Sequence, residues 1–238
     1  MIRNLVIAGS SFLINNHSSW FQLKENYKIN FYNYGDLNGA LSKKEYNNIL
    51  AIVLSLNDLI DENCNQTRFK KIINPLLFIL EKRLKQCHGA TILCLSKGEQ
   101  INLIKKCKDQ PRLSKNFNWI IECCFKLAKK YKNFYVVNLD DEFCETGLNN
   151  IFDDRNWYFA HCRYSSDGLK IISSSISKVL NRHFNAAKKV LVLDCDNTLW
   201  GGIVGEDGVK GLILGQDGLG QAYVDFQKEI KKLIKDGV

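Results

Sequence analysis

No apolar run in this chain is long enough to cross a bilayer. The longest, such as Ile49–Leu56 and Val190–Leu193, fall far short of the roughly 20 residues that a membrane-spanning helix needs, so no membrane partner is expected. A cleavable leader pattern is also missing, because Met1-Ile2-Arg3-Asn4-Leu5 passes into a strand-like pattern with no small-residue cleavage site; a cytoplasmic location is expected. There is no internal repeat and no low-complexity tract, which excludes solenoids and tails of biased composition. The nine cysteines are odd in number and never spaced CxxC. Cys94, Cys123, Cys124 and Cys195 sit in apolar stretches, so buried reduced thiols are expected, and no cysteine metal site.

What is present is the composition of a globular chain. Hydrophobic residues make up 45% of the 238 and charged residues 24%, enough for one large domain or for one domain and part of a second. The net charge of +8 is uneven: residues 1–186 hold 26 Lys/Arg against 17 Asp/Glu, and residues 187–238 hold 7 against 8. A basic surface attracts nucleic acid, acidic lipid or acidic protein. Here the lysines are scattered and no aromatic residues interleave them, so a solvated face is the simpler reading and no nucleic acid is expected.

Short runs rich in Val, Ile and Phe alternate with stretches of helical period, the pattern of an α/β domain with a parallel sheet. The expected strands are Leu5–Ala8, Ile29–Tyr34, Ile49–Leu56, Ala90–Leu95, Phe134–Leu139 and Val190–Asp194. Between them, Phe69, Ile72, Ile73, Leu76, Leu77, Leu80 and Leu84 form an apolar helical stripe. So do Phe117, Ile120, Ile121, Cys124, Phe125 and Ala128, and again Leu169, Ile172, Ile176, Val179 and Leu180. Pro75 is expected to kink the first of these helices or to break it in two. A domain boundary is expected at Phe184–Lys189, which separates residues 1–186 from 187–238.

The most informative segment begins at Lys189. A run of apolar residues, Val190–Leu193, leads into Asp194-Cys195-Asp196-Asn197-Thr198, and ligands of open α/β sheets bind beyond such strand ends. On an extended backbone Asp194 and Asp196 project to one side and Cys195 to the other, where a core thiol is expected. Two facing carboxylates favour a shared cation, and hard oxygen ligands suit magnesium. One such carboxylate can attack a phosphoryl group while the other moves a proton.

This Asp-x-Asp-x-Thr after an apolar strand resembles the first motif of the haloacid dehalogenase (HAD) superfamily. The longer string DCDNTLWGGIVGEDGVKGLILG, Asp194–Gly215, resembles the FkbH-like subfamily, HAD-IIIC type. The resemblance implies Asp194 as nucleophile and Asp196 as general acid/base, its main-chain carbonyl also binding Mg2+. It implies Thr198, with Asn197, as loop and phosphate organiser. Trp200–Gly215 is implied as the flap, beginning Trp200-Gly201-Gly202, with Gly205, Gly208 and Gly211 permitting further turns. FkbH-like proteins dephosphorylate a three-carbon acyl metabolite such as 1,3-bisphosphoglycerate and load the glyceryl group onto an acyl carrier protein. The implied partners are therefore a phosphorylated small molecule and an acidic carrier, which suits the basic first segment.

The resemblance also implies a downstream phosphate-holding Ser/Thr, a Lys and an acidic pair, none of which is located before Val238. Tyr223, Phe226, Ile230, Leu233 and Ile234 make an amphipathic helix with Lys235 in its last turn and Gly237 as its stop, and Val238 reads as the start of a strand. A strand, a flap and one helix leave open strand edges, so self-association through residues 187–238 is a further expectation. The chain is accordingly expected to be a piece of a longer enzyme or a shortened relative that is inactive alone.

Family members carry an N-terminal domain similar to the SGNH hydrolases, and residues 1–186 keep traces of it. Gly9-Ser10-Ser11 stands where that fold has Gly-Asp-Ser, and Leu56-Asn57-Asp58 where it ends Gly-x-Asn-Asp, with Ser10 and Ser55 replacing the Asp and the Gly. Asp167-Gly168-Leu169-Lys170 replaces Asp-x-x-His, so the base histidine is missing; His161 is nearby but is expected to be structural. The expected architecture is therefore an SGNH-like, flavodoxin-like three-layer α/β/α domain followed by the start of a HAD-like Rossmannoid domain. Three readings stay open: a phosphoryl-transfer enzyme piece, a catalytically silent binding module, and a serine esterase using Ser11.

Overall fold

The computed structural model describes residues 3–43, 48–60, 64–98, 103–184 and 190–235. Expectations that fall on Met1–Ile2, on 185–189 within the boundary, and on Gly237 and Val238 lie outside these residues. Contacts divide the chain into two compact units, Met1–His183 and Phe184–Val238.

In the first unit, strand β1 (Arg3–Gly9) leads through a 3-10 turn to α1 (Phe21–Asn26), β2 (Tyr27–Phe31), α2 (Leu37–Ser42) and β3 (Ile49–Ser55). Then come α3 (Gln66–Gln86), β4 (Thr91–Ser96), α4 (Leu103–Lys130), β5 (Phe134–Asn138) and α5 (Leu139–Cys144). The short helices α6 (Leu148–Ile151) and α7 (Asp154–Ala160) precede α8 (Ser166–Phe184). The five strands are all parallel in the order β2-β1-β3-β4-β5, with helices on both sides. That order is the flavodoxin-like winding, whose switch point lies between β1 and β3.

The strands read as apolar runs because the parallel ladder is covered on both faces. Every residue of β3 is buried, and alternate residues serve opposite sides. Leu50, Ile52 and Leu54 join Ala8, Leu93, Leu95 and Phe134 in one core cluster with Leu37 and Leu41 of α2, Phe69, Ile73, Leu80 and Leu84 of α3, and Phe117, Ile120 and Cys124 of α4. The helical stripes read from the sequence thus face the core, with Phe125 as an exception at 48% exposure; Leu169, Ile172, Ile176 and Leu180 of α8 are buried as well. Two expectations need correction here. Helix α3 runs unbroken through Pro75, since packing of its apolar face outweighs the loss of one backbone hydrogen bond. Strand β2 begins two residues earlier than read, and Tyr32–Tyr34 lie beyond its end, with Gly35 at φ 79° turning the chain toward α2.

In the second unit, residues 190–203 lead to α9 (Val204–Gly211) and α10 (Gly218–Lys235). The strand expected at Val190–Asp194 does not form, and this is a correction. Val190 and Val192 are 77% and 87% exposed, because no described segment pairs with or covers them. Cys195, expected as a core thiol, is exposed for the same reason, whereas Cys64, Cys87, Cys94, Cys124 and Cys162 are buried. Burial pushes the thiols of Cys94 and Cys124 up to about 12, so both stay protonated at neutral pH.

Candidate functional site

In the second unit the chain tightens immediately after the apolar run. The amides of Thr198 and Leu199 both donate to the Cys195 carbonyl, at 3.2 and 2.8 Å, and Asn197 takes the left-handed conformation with φ 53°, which asparagine tolerates better than most residues. The loop is also tied to α10, where the Gln227 side chain donates to the Leu199 carbonyl at 2.7 Å. Behind it, Gly201 and Ile213 exchange two backbone hydrogen bonds of 3.0 and 2.8 Å, closing the Trp200–Gly215 flap at its base. A Cβ on Gly201 would stand 3.0 Å from both Ile213 and Tyr223, so only glycine fits there without displacing a neighbour.

The site residues then separate by partner. Asp196 is half-buried, and its Oδ1 accepts from the Trp200 indole at 3.0 Å and from the Val204 amide at 3.3 Å. Asn197 Oδ1 accepts from the amide of Gly202, at 2.9 Å; Gly202 has φ 98°, which favours glycine. Asp207 accepts from the Ile203 amide at 2.8 Å and starts the α9 turn. Asp194 is exposed, and its only described partner is the amide of Cys195 at 2.8 Å. One polar loop thus holds Asp194, Asp196, Asn197, Thr198 and the start of the flap together. Asp207 and Gln227, which shape it, were not singled out from the sequence. Glu-Asp after a glycine is a common helix start, and nothing in sequence spacing pairs Gln227 with a loop 28 residues away. Among the described residues no group of three or more His, Cys, Asp or Glu is placed to hold a metal ion.

In the first unit the switch point carries a different arrangement. The Ser10 hydroxyl accepts from the Ser55 amide at 3.0 Å and donates to Asp58 Oδ2 at 2.6 Å, joining the ends of β1 and β3. Asp58 Oδ1 in turn receives the Arg163 Nε–H in an ion pair whose side chains are only 4% and 10% exposed. The Arg163 guanidinium lies 3.9 Å from the centre of the Trp157 ring. Asn57 follows in the same turn, its amide donating to the Lys97 carbonyl at 3.3 Å. Asp58 was read from the sequence only as part of the Gly-x-Asn-Asp trace; its pairing with Arg163, 105 residues away, was missed because the two form no motif. Buried beside them is Tyr164, whose phenol burial raises above its ordinary range.

The remaining hydrolase traces are not assembled. Ser11 is buried and lines a cavity of about 240 Å3 with Phe12, Asn15, Tyr32, Asn33 and Tyr34, and among the described residues no histidine nitrogen bonds to it. Asp167 pairs with Lys170 at 3.1 Å on the solvent side of α8. His161 ends α7 in the left-handed conformation, stacks on Tyr34 and accepts the Phe12 amide at its carbonyl, a structural use. A serine–histidine pair does occur, with His17 Nε2 3.1 Å from the Ser166 hydroxyl. The Ser19 amide donates to the other ring nitrogen, Nδ1, at 3.2 Å. In the neutral ring the proton therefore sits on Nε2, facing Ser166, and that nitrogen cannot accept the serine proton.

No protein-family model matches the chain, and no curated protein does. Among solved structures, the N-terminal part of the protein BF1531 from Bacteroides fragilis, which contains a phosphatase domain and was crystallised in complex with Mg, is similar. The TM-score is 0.78 and the identity 24%, over 99% of this chain and 67% of that one. A member of the lipolytic G-D-S-L family from Veillonella parvula aligns with a TM-score of 0.47 and 12% identity, over 76% of this chain and all of that one. The first likeness establishes the fold.

Two outcomes follow from the first unit. Asp58→Ala removes the buried carboxylate to which both the Ser10 hydroxyl and the Arg163 guanidinium donate and is expected to cost more than about 1 kcal/mol, read as a lower urea midpoint; an unchanged midpoint would contradict the burial of the pair. Hydrolysis of p-nitrophenyl acetate is expected to stay at the uncatalysed rate and to be unchanged in Ser11→Ala, whereas rapid hydrolysis abolished by that substitution would restore the esterase reading.

Proposed function

We propose that Asp194–Gly215 is the nucleophile loop and flap of a Mg2+-dependent phosphoryl-transfer site of the haloacid-dehalogenase type, similar to FkbH-like proteins. The observation that carries this reading is the acidic loop itself. Asp196 and Asn197 are each held by flap amides while Asp194 stays exposed at the loop, so one carboxylate is fixed and the other is open to a substrate. The likeness in fold to a phosphatase-domain protein crystallised with Mg supports it.

The donor set fits the ion in kind. The Asp194 carboxylate and the main-chain carbonyl of Asp196 are hard oxygens that would hold Mg2+, which keeps several waters and uses few protein ligands. Bound there, the ion would offset the negative charge of a phosphoryl group.

The chain's own residues divide the reaction between them. An oxygen of Asp194 forms a bond to phosphorus as the bond from phosphorus to the leaving oxygen breaks, and Asp196 gives that oxygen its proton. Water then attacks the aspartyl-phosphate, Asp196 takes the water proton, and inorganic phosphate leaves with Asp194 restored. The substrate class we propose is a phosphorylated three-carbon acyl metabolite such as 1,3-bisphosphoglycerate: Asp194 takes the phosphoryl group from the C3 oxygen, and the acyl phosphate that is kept at C1 is then attacked by the thiol of an acidic acyl carrier protein, forming the glyceryl thioester as inorganic phosphate leaves. The basic excess of residues 1–186 supports an acidic partner, because complementary fields speed encounter.

A second reading, a catalytically silent binding module, draws on the missing third metal-holding side chain among the described residues. Incubation with Mg2+ and acetyl phosphate, then borohydride reduction and peptide mass spectrometry, separates the two. Aspartyl-phosphate is reduced to homoserine, so conversion at residue 194, lost without Mg2+ and in Asp194→Asn, is expected. Intact aspartate at 194 in every sample would favour the silent module.

A further inference from the structure

The flap does more than cover the acidic loop. Both donors to the Asp196 carboxylate come from it: the Trp200 indole at its first residue and the Val204 amide at the start of α9. They meet on the same oxygen, Oδ1, and among the described residues Oδ2 accepts no hydrogen bond. Two N–H groups on one carboxylate oxygen restrain the rotation of the group about its Cβ–Cγ bond more firmly than either alone. The supports of those donors are polar as well. The Ile203 amide is held by Asp207 and the Gly202 amide by Asn197, while Gly201 is pinned by Ile213. Displacing the flap from the loop removes both Asp196 donors together.

We infer that Trp200 is a positioning residue, coupling the seating of the flap to the orientation of the Asp196 carboxylate so that its Oδ2 is presented for proton transfer only when the flap is closed. This rests on the phosphoryl-transfer reading for the role of Asp196, but not for the existence of the coupling. Trp200 is half-buried, so a purely packing role is the competing explanation. The two differ in what the indole N–H does: packing needs the ring, and coupling needs the proton.

The chain holds four tryptophans, and Trp20, Trp119 and Trp157 lie outside the flap. A 15N-labelled sample of the whole chain therefore gives a small set of indole signals, and Trp200→Phe, which keeps an aromatic ring and removes the donor, identifies the one from Trp200. In Asp196→Ala that signal is expected to shift and its solvent exchange to quicken about tenfold, the equivalent of one charge-assisted hydrogen bond. In Trp200→Phe the Val204 amide is expected to lose protection by a similar factor, although its own donor and acceptor are both still present. An indole signal indifferent to Asp196→Ala would show that the bond is not made. A Val204 amide fully protected in Trp200→Phe would show that ring packing, not coupling, is the role. The second variant decides the matter even if Asp196→Ala fails to fold. Neither measurement needs turnover, so a failed borohydride experiment and a failed coupling remain distinguishable.

Discussion

The Asp196 carboxylate accepts the Trp200 indole and the Val204 amide, and the shape of the acidic loop hangs on that contact. The Asp196 carboxylate takes both donors on one oxygen, while Asp194 has, among the described residues, only the neighbouring amide of Cys195. Two identical side chains two residues apart thereby differ in their hydrogen-bond partners and in their exposure.

The switch point of the parallel sheet in the first unit has met its polar groups in another way. Where open α/β sheets receive ligands, this chain has a closed relay from the Ser55 amide through Ser10 and Asp58 to Arg163. Every member is paired, so the buried carboxylate and guanidinium stabilise each other and join the ends of β1 and β3 to the segment after α7. Such a relay ties the strand ends in register. Ser11 and Asp167, which the resemblance drew to this unit, stand apart from that relay: Ser11 is buried beside a cavity and Asp167 pairs with Lys170 at the surface.

Much of this was legible in the sequence, and the reasons for the rest are physical. Strands β1, β3, β4 and β5 follow from apolar runs, since a covered parallel strand has no polar face to interrupt the pattern; their limits moved by two residues at most. The helix stripes at Phe69–Leu84 and Leu169–Leu180 were equally plain. Pro75 does not break its helix in two, because local propensity is weaker than the packing of a 21-residue helix's apolar face. Val190–Leu193 misled in the opposite sense: the residues have the pattern of a buried strand, but a strand exists only with a partner, and no described segment supplies one. Within the candidate site, the spacing of Asp194 and Asp196 marked an acidic loop, and the turns at Asn197 and Gly202, with φ 53° and 98°, lie in the segment that the motif pointed to. The indole bond from Trp200 to Asp196 was not legible, because a hydrogen bond between side chains four residues apart in a tight loop has no counterpart in periodicity or composition.

Diffraction from crystals grown with Mn2+ in place of Mg2+ tests the central claim most directly, because the anomalous signal locates the ion without assumption. The account predicts one peak about 2.1–2.2 Å from an Asp194 carboxylate oxygen and from the main-chain oxygen of Asp196, with the flap seated on Asp196. Anomalous density elsewhere, and none at that loop, would contradict it.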